Sequence, residues 1–130
     1  FCHYTLQDDS LVDYLDFFEE HEVGVINASP FAMGLLTERG APAWHPAPKP
    51  LQDVCRKAAE YCKSKGKSIE KPAIQYAVSN PRITTTLFST TRSSAVLDNI
   101  RWIEEPMDEE LLKEVRKILE PRFRDTWLNS

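Results

Sequence analysis

Apolar residues recur at helical spacing in several stretches of the chain, and two short β-branched runs lie between them. Leu11, Leu15 and Phe18 form one stripe with acidic residues between, and Ser10-Leu11-Val12-Asp13 fits a capping-box start for that helix. Residues 23–28 (Val-Gly-Val-Ile-Asn-Ala) read as a strand fit for burial on both faces, ended by Ser29-Pro30 because proline cannot continue a ladder. A broken, proline-rich loop covers 38–50. An amphipathic helix follows over about residues 51–65, with Leu51, Val54, Cys55, Ala58 and Cys62 on one face and Gly66 as its stop. Ser68 is placed to cap a helix that reaches Ser79, with Ile74, Ala77 and Val78 inward and Pro72 in the first turn. Residues 83–88 read as a second strand. A helix carrying Val96, Ile100 and Ile103 follows, and Asp108 caps the last one, whose stripe is Leu111, Leu112, Val115, Ile118 and Leu119.

Strands that alternate with helices across gaps too long for hairpins predict parallel βαβ units, hence an α/β fold. Such folds bind ligands beyond the carboxyl ends of their strands, which directs attention to Ser29 and Ser89. The four glycines form neither GxGxxG nor a P-loop, which argues against a Rossmann or kinase-like nucleotide site. Composition is that of a globular chain, with 42% hydrophobic and 28% charged residues. No apolar run approaches the roughly 20 residues of a membrane span. A net charge of −4 without a basic stripe argues against nucleic acid. Three cysteines, an odd number, predict reduced thiols and a cytoplasmic setting. Cys55 and Cys62 share a helix face and read as packing. His3, His21 and His45 are too scattered to build a metal site, and none is expected.

Several segments together carry a family resemblance: Cys2-His3-Tyr4-Thr5-Leu6, Ala28-Ser29-Pro30, Ala32-Met33-Gly34-Leu35-Leu36-Thr37 and Trp44-His45-Pro46. The series resembles the aldo-keto reductases, and within them the plant-type sugar dehydrogenases. The resemblance implies the C-terminal part of a (β/α)8 TIM barrel, incomplete here, since that fold takes roughly 250 residues. The 130 residues are thus expected to be one C-terminal portion of a single barrel domain. On its own that portion would have open sheet edges, would not behave as a monomer, and would need its own N-terminal half.

What the resemblance implies for function is hydride transfer between NAD or NADP and a sugar or aldehyde. Ser29, Phe31, Met33 and Gly34 then line the cofactor's pyrophosphate. On residue type alone, Phe31, Met33, Leu35 and Leu36 read first as core that plugs the barrel top, and the resemblance reverses that preference. Ser89, Thr90 and Arg92 form a second cofactor patch, and Asn99 matches a residue that reads the adenine edge. Without the resemblance Asn99 is an ordinary helix polar residue. NADP-specific relatives place lysine at Ser89 and arginine at Ala95. Their absence favours NAD, with Arg92 as a partial substitute. Ala28 and Phe1 stand where many members have a tyrosine and a glutamine around the nicotinamide. Trp44 and His45 are candidate substrate contacts on the 38–50 loop, Trp44 serving as lid, sugar platform or anchor. The family's Asp, Tyr, Lys and His tetrad belongs to the N-terminal half, so no catalytic residue is assigned. The portion alone is expected to be inactive, and a non-catalytic dinucleotide-binding subunit of the same fold is the alternative.

Overall fold

The computed structural model describes residues 2–127. Phe1, discussed above for its place near the nicotinamide, lies outside them. A 3-10 turn, Ser10–Tyr14, runs directly into helix α1, Leu15–Glu20. Leu11 and Leu15 are buried, as the periodicity predicts. Ser10 does not cap the turn. Asp8 does so from two positions before it: its Oδ1 accepts the Ser10 N–H at 2.9 Å, while Oδ2 meets His3 Nδ1 at 2.6 Å.

Strand β1 is Ile26–Ala28 and β2 is Thr85–Leu87. They pair in parallel with Ile26 opposite Thr85, Asn27 opposite Thr86 and Ala28 opposite Leu87. Thr84 N–H donating to Val25 O and Ser29 N–H donating to Leu87 O extend the ladder at each end. Both strands are shorter than the runs that predict them. Burial along residues 25–27 also alternates: Val25 and Asn27 are inside, whereas Ile26 is 52% exposed. The expected burial on both faces is absent because β1 and β2 form a two-stranded sheet among the described residues. Residues 3–7 run beside β1 without joining the ladder. Tyr4 O accepts the Asn27 side-chain N–H at 2.9 Å, and the Tyr4 ring stacks on Tyr76.

The crossover contains helix α2, Lys49–Ser64, and helix α3, Glu70–Ala77. Leu51, Cys55, Ala58 and Cys62 of α2 face the core. Gly66, at φ +69°, closes α2 with Gly66 N–H on Lys63 O and Lys67 N–H on Cys62 O, a Schellman end. Ser68 accepts the Glu70 N–H at 3.3 Å, and α3 stops before Val78, which is partly exposed rather than inward. Helix α5, Glu109–Leu119, packs on α2 through Leu111, Val115 and Leu119. Its cap is the predicted one, Asp108 Oδ1 accepting Leu111 N–H at 3.0 Å.

Helix α4, Ser93–Glu104, departs from expectation. Val96, Ile100 and Ile103, the predicted inward stripe, are all exposed, and the buried residue of α4 is Asn99. The helix packs against α3, and Gln75 ties the two by donating to Trp102 O and Glu105 O. This seats the polar residue inward and turns the aliphatic stripe away.

Candidate functional site

The segments that leave the carboxyl ends of β1 and β2 enclose one cavity of about 610 Å³, within the size range of small-molecule sites. Ser29, Phe31, Met33 and Gly34 contribute one wall. Ser89, Thr90, Arg92 and Asn99 contribute the facing wall, and Trp44 stands at the edge, 71% exposed. The two sequence-predicted patches, some sixty residues apart in the chain, are thereby brought together. His45 is not among the lining residues. It is buried, with Nε2 donating to Ala32 O at 3.0 Å and Nδ1 accepting the Ala47 N–H at 3.0 Å. Both ring nitrogens are thus used inside the chain. The substrate contact expected of His45 gives way to a support for the cavity loop.

That loop follows an uncommon path. Ser29, Ala32 and Met33 have φ of 56°, 48° and 53°, and Gly34 has φ 105°. Left-handed backbone is unfavourable for residues with a Cβ. The loop is held by Ala32 N–H on Ser29 O, by Gly34 and Leu36 N–H on Phe31 O, and by His45 on Ala32 O. A Cβ at Gly34 would lie 3.1 Å from Pro42 Cδ, so the loop packs closely against the 38–50 segment. Among the described residues the N–H groups of Phe31 and Met33 have no acceptor within the chain. Amides left free on a turning backbone suit an anion.

On the other wall, Arg92 N–H donates to Thr90 Oγ1 at 3.2 Å, and Arg92 precedes α4 without a side-chain cap, its carbonyl accepting the Ala95 N–H. The first turn of α4 therefore begins beside the cavity, with the Ala95 N–H already paired to Arg92 O. Asn99 is only 4% exposed, and its side-chain amide makes no hydrogen bond within the chain; it borders the cavity instead. Such a donor and acceptor edge matches the edge of a nucleobase.

Glu70, Asp98 and Trp102 also line the cavity, and the sequence reading misses them. Ala95, Asp98, Asn99 and Trp102 share one face of α4 by i, i+3, i+4 and i+7 spacing, a signal that points to Asp98 and Trp102 once Asn99 is chosen. Glu70 has no comparable signal, because it arrives only through the packing of α3 on α4. Burial is the main cause that raises the Glu70 carboxyl above its ordinary range, with Glu38 adding to it and Arg92 opposing. Among the described residues no group of three His, Cys, Asp or Glu side chains is placed to hold a metal ion, and no helix is long and apolar enough to cross a membrane.

A parallel β–α–β unit with a cavity at its strand ends is the arrangement of a TIM-barrel-type α/β fold. The model of the aldo/keto reductase family matches residues 3–120. L-galactose dehydrogenase of Arabidopsis thaliana is 45% identical over 131 aligned positions, covering 98% of this chain and 41% of that protein. The holo form of an aldo-keto reductase from Bacillus halodurans superposes with a TM-score of 0.63 at 20% identity, covering 89% of this chain and 40% of the other. A glycerol dehydrogenase from Gluconobacter oxydans gives 0.60 at 17% identity, covering 97% and 43%. The chain therefore belongs to the aldo/keto reductase family, and it spans about two fifths of the length of the relatives it matches.

Proposed function

We propose that this chain is the C-terminal portion of one barrel domain and forms the dinucleotide wall of an NAD(P)-dependent oxidoreductase acting on a sugar or related alcohol, with L-galactose as first choice. The carrying observation is the cavity that joins residues 29–34 to α4 and is bordered by Asn99, whose side-chain amide makes no hydrogen bond within the chain. When bound, the nicotinamide cofactor supplies the site that takes or gives hydride. The chain's own residues bind and orient it. The amides of Phe31 and Met33 meet the pyrophosphate, the first turn of α4 adds its positive end, and Asn99 reads the adenine edge. Ser89 and Ala95 offer no cation for a 2′-phosphate, which favours NAD. Trp44 gives an exposed aromatic face at the rim on which a sugar can stack.

Proton transfer to or from the substrate oxygen belongs to a tetrad in the N-terminal half, which this reading requires as the partner. The exposed aliphatic stripe of α4 and exposed Ile26 and Leu87 supply surface for that half to cover. The free cysteines fit a cytosolic setting. The test uses the protein in which this chain continues from its N-terminal half. L-galactose should be oxidised with NAD reduction, and Arg92→Ala should leave NAD affinity within a fewfold. Dinucleotide binding without turnover on sugars or aldehydes would favour the non-catalytic alternative. NADP bound tenfold tighter than NAD, and weakened by Arg92→Ala, would transfer the cofactor choice to NADP.

A further inference from the structure

The support behind the cavity loop reaches beyond His45. The His45 ring contacts two indoles: Trp127 meets it edge to face, 4.9 Å between centroids and 65° between planes, and Trp44 stacks on it at 6.1 Å and 17°. Trp44 is exposed at the rim, whereas Trp127 is partly buried against the hydrophobic core. A strap brings Trp127 there. After the 3-10 turn Glu120–Arg122 the described chain has no regular element, and an untied terminal segment would sample many paths. Residues 122–125 are instead pinned on Gln7. Its side-chain amide donates to Arg122 O at 3.0 Å and to Asp125 O at 2.9 Å, and its carbonyl accepts the Arg124 N–H at 3.0 Å. Gln7 is buried, so water competes poorly for these bonds. The Arg124 guanidinium adds ion pairs to Asp9 at 2.7 Å and Asp13 at 2.9 Å. The matched family segment ends at residue 120, and the strap lies beyond it.

We infer that Trp127 is a positioning residue for the cavity loop: carried by this strap, it holds the His45 ring, and through that ring the left-handed path of residues 29–34. The loop needs a hold from outside. Left-handed backbone at Ser29, Ala32 and Met33 is unfavourable, and residues 38–48, which carry His45, contain no helix or strand to anchor the ring. His45 Nε2 donates to Ala32 O while Nδ1 accepts the Ala47 N–H. Both bonds require one ring orientation, so a rotation about Cβ–Cγ breaks them together. An aromatic edge packed on the ring restricts that rotation. With the ring free to turn, Ala32 O loses its donor, and residues 29–34 relax toward ordinary turns that move the Phe31 and Met33 N–H groups. The effect on a bound cofactor rests on the dinucleotide reading above; the hold on the loop does not.

The test is hydrogen exchange by mass spectrometry on the protein in which this chain continues from its N-terminal half, paired with the Kd for NAD by calorimetry. Exchange rates read local opening. Trp127→Leu should speed exchange in the peptide over 29–36 about tenfold, leave α2 and α5 within about twofold, and weaken NAD about fivefold. Trp127→Phe, which keeps an aromatic ring against His45, should restore both quantities to within about twofold of wild type. In a His45→Gln background Trp127→Leu should add less than about twofold, because the ring it acts through is gone. Unchanged loop exchange in Trp127→Leu, an equal rise in α2 and α5, no rescue by Trp127→Phe, or a full effect without His45 overturns the inference. Faster loop exchange with NAD affinity unmoved supports the hold on the loop and overturns the placing of the dinucleotide on it.

Discussion

Replacing Asn99 by leucine separates a ligand-reading amide from a structural one. In the free protein Asn99 is 4% exposed, and its side-chain amide, unpaired within the chain, borders the cavity. An unpaired buried amide costs about 1–3 kcal/mol in proteins. Water in the cavity offsets part of that, so Asn99→Leu should leave the nucleotide-free protein unchanged or stabilise it by up to about 1 kcal/mol. In the complex, two hydrogen bonds to a nucleobase edge contribute about 1–3 kcal/mol together, and losing them weakens binding roughly 5- to 150-fold. The assays are a denaturant titration without nucleotide and the Kd for 5′-AMP. A loss of more than about 1 kcal/mol of stability together with unchanged AMP affinity would show that Asn99 holds α4 in place and reads nothing.

Thiol reactivity should follow burial. Desolvation pushes Cys55 to about 12 and Cys62 to about 11, while Cys2 is exposed; since the thiolate is the nucleophile, iodoacetamide in mildly alkaline buffer should label Cys2 long before the other two. Peptide mass mapping checks this, and labelling of Cys55 as fast as Cys2 in the folded protein refutes it. Stability should also carry a signature of Glu70, whose carboxyl is raised mainly by burial, with Glu38 and Asp98 adding to it and Arg92 and the Ser68 hydroxyl opposing. A raised carboxyl binds its proton more tightly folded than unfolded, so its contribution is fully present below the unfolded value near 4.5 and is lost as pH rises through the folded value. Glu70→Gln should therefore gain in melting temperature relative to wild type as pH rises from acid to neutral. A difference that is flat or shrinks with pH contradicts this.

The order of elements is legible in the sequence because each helix carries its own period and each break its own proline or glycine. Gly66 and Asp108 terminate α2 and α5 by purely local geometry, and both are read correctly. The errors arise where a residue's role is set by a distant segment. Val96, Ile100 and Ile103 show a correct helical period, but periodicity does not say which element covers the stripe. Ser10 fits the cap pattern, yet Asp8 is better placed because the preceding turn, Thr5 N–H on Asp8 O, brings it round. His45 reads as a surface ligand in a proline-rich loop. Its inward turn depends on the Ala32 carbonyl, which points at it only because Ala32 is left-handed. At the site, Ser29 and Ser89 are found from strand ends alone, whereas Glu70 needs the packing of α3 on α4.

Local preferences are satisfied at the helix ends and contradicted around the cavity. Glu22 is also left-handed, but it lies at the exit of α1, where a helix commonly ends that way. Ser29, Ala32 and Met33 have no such excuse, and at about 1–2 kcal/mol each they oppose folding by about 3–6 kcal/mol, a large share of the ~5–15 kcal/mol that domains generally have. The strain is held by groups that are themselves buried and doubly bonded, above all His45 between Ala32 O and Ala47 N–H. What the strained path leaves is a pair of amides at Phe31 and Met33 without an acceptor among the described residues, on a segment that lines the same cavity as Asn99. A segment selected for packing alone would relax to glycine or to ordinary turns. Strain, unpaired donors and a half-buried carboxylate meet at one cavity, the pattern expected where local strain serves a binding site.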